Sequence, residues 1–190
     1  MGAYYYLAAQ LPYLVYGQSV PMSSAHFRAL ACESMSSADY LIFDSCTLDP
    51  DPTPGSGVAY AEPPKRTRSE FINRWKDWER VLRLNLTKAR AQKLKWKGGA
   101  VVEPPEYPAD AVNVAKNAMS FESPLEAEIF LDKARWDAIE SFQGLNNFSE
   151  TAMYAYLLKL LLMERKSAFK VEEGFTEYKG LYAAILGEAK

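Results

Sequence analysis

Apolar positions along this chain recur at spacings of three and four over most of its length, and two proline-rich gaps interrupt them. The longest stripe lies over 69–97, where Phe71, Trp75, Trp78, Leu82, Leu86, Ala89 and Leu94 fall on one side of a helix. Ser69 is placed to cap it and Gly98–Gly99 to end it. At 1.5 Å per residue such a helix is roughly 40 Å long. Farther on, Asp110 is placed to cap a helix through Val112, Val114, Ala115 and Met119. Ser123, Pro124 and Glu126 form a fuller start signal, with a cap, a proline in the first turn and a capping-box acid. The helix they open reaches about Phe142, with Leu125, Ile129, Leu131, Trp136 and Ile139 apolar, and Gly144 ends it. Ser149 caps a helix predicted over 150–172 that is apolar nearly all round, the mark of a helix covered on most sides. A last apolar stripe follows over 175–187.

The N-terminal part is less uniform. Pro21, Ser23 and Ser24 open a short helix over Ser23–Glu33, and Ser37 is placed to cap another through Leu41, Ile42 and Phe43. Residues 4–16 leave helix and strand both open: Tyr4, Tyr5 and Tyr6 favour a strand, and the following LAAQL favours a helix. Residues 44–68 hold five prolines and two glycines with no apolar period, so regular structure stops there. EPPEYP at 103–108 makes a second such linker. The expected fold is all-α, a helical bundle with funnel-like lobes around a long central helix. It is read as one helical domain over 1–190, with an N-terminal lobe 1–43, a linker 44–68 and a main lobe 69–190.

Charge sharpens this picture. The 190 residues carry a net charge of −2, but residues 65–97 hold twelve bases against three acids, and the flanking parts are acidic. Either this basic segment pairs with the acidic parts inside the fold, or it meets an acidic partner. Arg74, Arg80, Arg83, Arg90 and Lys93 are the candidate partner-binding residues on its polar face. Single strands of nucleic acid are a weaker candidate, since Trp75, Trp78 and Trp96 interleave the bases while the whole chain is acidic.

Candidate chemistry is sparse. The single histidine, His26, lacks partners at ligand spacing, and Cys32 and Cys46 form no CxxC. No phosphate loop, nucleophile elbow or dinucleotide loop occurs. No catalytic residue, cofactor or metal is expected. Two cysteines make no disulfide framework, which fits a reducing cytoplasm. No apolar run reaches the roughly 18–20 residues of a bilayer span, and the N-terminus has no basic leader.

Several blocks resemble a known bacterial family. They are YYYLAAQLP (4–12), RWKDWERVLRLNLTKARAQKL (74–94), LDKARWDAIESF (131–142) and LLLMERK (160–166). The family is encoded beside V/A-type ATPase genes and resembles the socket component of those enzymes, their C-type subunit, which is the d-type subunit in eukaryotes. The resemblance implies a non-catalytic subunit or assembly factor linking the central stalk, built of the D and F subunits, to the membrane proteolipid ring. It implies a protein at the cytoplasmic face of the inner membrane, in an ion-transporting rotary enzyme. A full-length socket component has three similar lobes and is much longer, and no internal repeat appears here. The alternative reading is a generic helical adaptor that binds an acidic partner or single-stranded nucleic acid through 69–97.

Overall fold

The computed structural model describes residues 4–48, 63–95 and 103–168. Among these residues seven helices run: α1 Tyr5–Gln10, α2 Ser24–Ser34, α3 Ser37–Asp44, α4 Glu70–Lys93, α5 Ala109–Ala118, α6 Pro124–Gln143 and α7 Glu150–Ser167. No strand occurs among the described residues, so the fold is all-α. The strand alternative for 4–16 gives way to the short helix α1, followed by irregular chain.

Serine sets five of the helix starts. Ser23, Ser36, Ser69, Ser123 and Ser149 each accept an amide three residues on, at 3.2–3.4 Å. Each bond satisfies an N-terminal donor that the helix itself leaves unpaired. Ser36, rather than Ser37, caps α3. Asp110 is not the cap of α5, where Pro108 holds that position. Instead Asp110 lies in the first turn and accepts the indole N–H of Trp78 at 2.8 Å. Gly144 ends α6 at φ 73°, a left-handed conformation that a side chain disfavours.

The most enclosed helix is α7. Tyr154, Ala155, Leu157, Leu158 and Leu160 are completely buried. Helix α6 packs along it, and α2 and α3 cover another side. Helix α4 packs against both α5 and α6, which also touch each other, and its buried positions extend beyond the expected stripe to include Ile72, Val81 and Leu84. Leu94 departs from the expected stripe. It is the C-cap of α4 and is exposed, because the helix ends at Lys93 and Lys95 turns to φ 51°. Phe27 and Phe43 belong to the same continuous core as α7. No described helix is long and apolar enough to cross a membrane. The predicted end of the α7 pattern (169–172), the stripe over 175–187, the linker centre (49–62) and Trp96 lie outside the described residues.

Aromatic hydroxyls fasten the N-terminal segment to the bundle. Tyr16 donates to the carbonyl of Ile129 at 3.1 Å, Tyr156 to that of Pro12 at 2.8 Å, and Tyr154 to that of Asp39 at 3.2 Å. The amide of Tyr4 donates to Phe148 at 2.7 Å. Helix α2 receives its N-terminal acid from elsewhere in the chain. Glu164 on α7 accepts both the amide and the hydroxyl of Ser24 at 2.6 Å.

Candidate functional site

Helix geometry divides the five basic candidates on α4. At 100° per residue, Arg74 and Arg83 stand on opposite sides, whereas Arg83 and Arg90 share one. Arg74 accordingly lies over the ring of Phe142, 4.6 Å from its centre. Arg83 turns inward, donating to Glu79 and to the carbonyl of Leu48. Arg90 is more than half exposed and pairs with Glu128 at 3.3 Å. Arg80 is partly exposed, and Lys93 is exposed in the last turn. The five therefore do not form one basic surface. Other bases near α4 also find acids inside the fold: Arg66 meets Asp77 at 2.7 Å, Arg68 meets Asp39, and Lys88 meets Glu103.

Along α4, α6 and α7 runs a further chain of alternating charge, buried at its centre. Arg135 is 4% exposed and grips Glu79 with two nitrogens, Nε to Oε2 and Nη2 to Oε1, each at 3.1 Å. Its third nitrogen, Nη1, donates to Asp132 at 3.0 Å. Arg165 continues the chain, meeting Glu128 at 3.0 Å and approaching Asp132 at 3.9 Å. Arg83 and Arg90 close the two ends. The order is Arg83, Glu79, Arg135, Asp132, Arg165, Glu128, Arg90.

The two buried carboxylates respond in opposite directions. Burial pushes the Glu79 carboxyl up, but Arg135 and Arg83 together bring it below its ordinary value. Burial dominates at Asp132 and leaves its carboxyl raised, despite Arg165 and Arg135. The geometry agrees: Asp132 is 1% exposed, and its Oδ2 is buried with no hydrogen-bond partner. Burial disfavours the Arg135 cation, and Glu79 and Asp132 more than compensate, so its affinity for the proton rises. Ions removed from water cost several kcal/mol each unless paired, a requirement that Glu79 and Arg135 meet and Asp132 meets only in part, and the pairs tie α4 to α6 and, through Arg165, α6 to α7.

None of Glu79, Asp132 and Arg135 stands among the candidate residues read from the sequence, yet all three lie in the core. A signal was present. Asp132 and Arg135 are three apart among Leu131, Trp136 and Ile139, and Glu79 follows Trp78 on the apolar stripe.

A cleft of about 560 Å³ opens between α3 and the start of α7, beside Tyr4, Ser36, Asp39, Arg68, Glu150 and Tyr154. Asp39 faces it with its acceptors engaged, by Tyr4 and Ser36 hydroxyls and by Arg68. Burial alone would raise this carboxyl, and those donors lower it. His26 is exposed on α2, away from this cleft. Cys46 is buried and its thiol is pushed up to about 12 by burial. Among the described residues no three His, Cys, Asp or Glu side chains gather as a metal-holding group. Trp75 and Trp78 stack on each other at 6.0 Å and are buried, so neither is available to stack on a base. Comparison with protein-family models, curated proteins and solved structures finds no match for this chain.

Proposed function

We propose that this protein is a non-catalytic helical subunit or assembly factor of a V/A-type ATPase, joining the central stalk to the membrane rotor ring. One observation carries the reading beyond the sequence blocks. Three of the blocks that resemble the family, in α4, α6 and α7, supply most of the charge chain between Arg83 and Arg90, including its buried centre of Glu79, Arg135 and Asp132. Their unusual residues thus serve one shared architectural purpose, as expected of a part that transmits force. A coupling element has to keep its helices in register under torque. A buried lattice supports this, because its members lose their partners if one helix slides.

On this reading the protein sits at the cytoplasmic face of the inner membrane. The D and F stalk proteins are its partners on one side, and the proteolipid ring is its partner on the membrane side. Lys93, exposed in the last turn of α4, and Arg90, more than half exposed beside its pair with Glu128, are the cations offered to the stalk. Arg83 belongs to the internal lattice. The decisive experiment is affinity purification of the tagged full chain from detergent-solubilised membranes. Recovery of the D and F proteins with the ring is expected, and Lys93→Glu combined with Arg90→Glu lowers that recovery at least tenfold while helicity is kept. An intact ATPase purified without this chain, and a chain purified without ATPase components, would end the reading.

A further inference from the structure

The buried centre of the charge chain has one unserved oxygen and a thin cover. Asp132 is 1% exposed, and its Oδ2 has no hydrogen-bond partner. Arg135 donates to the other oxygen, Oδ1, at 3.0 Å, and Arg165 approaches that same Oδ1 at 3.9 Å. Tyr16 lies over this stretch of α6. Its hydroxyl donates to the carbonyl of Ile129 at 3.1 Å, and its ring meets that of Trp136 edge-on at 5.5 Å. Ile129, Asp132, Lys133 and Trp136 fall within an arc of roughly 100° on α6, so a ring that rests on Ile129 and Trp136 passes beside Asp132. Burial, and then the charges of Asp132 and Asp137, hold the Tyr16 phenol above its ordinary value. Tyr16 is also what pins its own loop. Val15, Gly17, Gln18 and Ser19 are exposed, and of residues 15–19 Tyr16 alone packs against the core. Gly17 turns the chain at φ 92°, and the backbone bond from Gln18 to Val15 at 3.2 Å stays within the loop. Lys166 on α7 and Lys133 on α6 lie over the Tyr16 ring, at 4.6 and 5.8 Å.

We propose that residues 15–19 form a flap, pinned by Tyr16, that lifts to admit water to Asp132 when this carboxyl carries its charge. A neutral carboxylic acid tolerates a dry site, so the flap stays closed over it. An ionised carboxylate needs donors on both oxygens, and water is the donor that the flap withholds from Oδ2. The neighbouring charges are already engaged. On α6, Arg135 is shared by Glu79 and Oδ1, Glu128 is held by Arg165 and Arg90, and Lys133 pairs with Asp137. On α7, Arg165 is bound to Glu128 and Lys166 lies over Tyr16. On α4, Glu79 faces Arg135 with Arg83 behind it. Drawing Arg165 inward takes a cation from Glu128, whereas lifting the flap breaks one neutral hydrogen bond and the contacts of a single ring. Burial holds the Asp132 carboxyl above 3.8, so the flap is closed at the acid side of a changeover that lies above that pH, and opens as pH rises through it.

The flap does not rest on the rotary-ATPase reading, and it is tested on the full chain alone. Hydroxyl-radical footprinting across a series of pH values reads the exposure of Trp136, which the Tyr16 ring covers, relative to Trp75 and Trp78, buried elsewhere in the core. A carbon-13 carboxyl titration locates the ionisation of Asp132 in the same samples. Linkage sets the size: a proton held tenfold more tightly under the closed flap means roughly tenfold more opening once it has left. The expected result is that relative oxidation of Trp136 rises with pH at the midpoint of the Asp132 titration. Asp132→Asn, of the same shape and without charge, keeps the acid-side rate throughout. Tyr16→Phe removes the hydroxyl pin and raises the rate at every pH. Asp137→Asn, half-exposed beside Lys133, leaves the midpoint in place. A rate that stays flat through the Asp132 titration, or a midpoint that Asp137→Asn abolishes, overturns the proposal. So does a parallel rise at Trp75 and Trp78, which marks loosening of the whole bundle. If Asp132→Asn lowers the melting temperature, the coincidence or mismatch of the two midpoints in the unaltered chain decides.

Discussion

Replacing Arg135 by methionine separates a buried lattice from a decorative one. The side chain is 4% exposed and serves two buried carboxylates, Glu79 and Asp132. The variant keeps most of the volume and removes the charge. Glu79 retains Arg83, so its loss is partial. Asp132 retains only Arg165, at 3.9 Å, and already has one oxygen without a partner. Breaking a buried pair by removing one partner costs about 3–5 kcal/mol, and the surviving contacts place Arg135→Met near the lower bound, about 3 kcal/mol. For a chain of this size each kcal/mol moves the midpoint by about 2–4 °C, so the melting temperature falls by about 6–12 °C. Urea unfolding followed by tryptophan fluorescence measures the same loss, since Trp75, Trp78 and Trp136 are buried. Two comparisons fix the scale. Arg83→Met leaves Glu79 with Arg135, and the partly exposed Arg83 is screened by solvent, so its effect is about 1 kcal/mol. Lys133→Met breaks a half-exposed pair with Asp137 on α6, worth about 0.3–0.5 kcal/mol, and a long contact with the Tyr16 ring at 5.8 Å, so its effect stays below about 1 kcal/mol. A cost below about 1 kcal/mol for Arg135→Met, or an order with Lys133 above Arg135, would refute the reasoning.

The two buried carboxylates predict opposite pH responses. Glu79 is lowered from 4.5 on folding, so its contribution is present above that pH and is lost as pH falls through the folded value; Glu79→Gln flattens the acid limb of a stability–pH curve. Asp132 is raised from 3.8, so the native state binds the extra proton and stability falls as pH rises from 3.8 through the folded value. Asp132→Asn therefore removes that decline and costs less at neutral pH than Glu79→Gln, as urea titrations at a series of pH values will register. Ser149→Ala removes the cap of the most enclosed helix and lowers stability by about 1 kcal/mol in the same assay. A thiol reagent added to native protein labels exposed Cys32 quickly and leaves buried Cys46 unmodified until denaturant is present; two fast equivalents would place Cys46 outside the core.

The helical plan was legible because its signals are local. The stripe from Phe71 to Leu86 and the serine caps act within a few residues, and three of the expected caps hold: Ser69, Ser123 and Ser149. Boundaries slipped where two neighbours competed, as at Ser36 and Ser37, or where a distant group claimed the cap, as with Asp110 and Trp78. The candidate site was less legible. Whether an arginine on α4 meets solvent or an acid depends on what another helix brings beside it. Glu79 and Arg135 are 56 residues apart, and no periodicity reports their meeting.

The tie between Ser24 and Glu164 spans 140 residues, and this separation bears on how the chain is made. At about 5–20 residues per second, the carboxylate that closes the start of α2 leaves the ribosome many seconds after the helix it serves. Phe27 and Phe43, fully buried in the finished molecule, have no α7 to pack against in that interval. The first three helices therefore wait as an exposed aromatic segment, open to chaperones, until the last described helix arrives and closes the core over them.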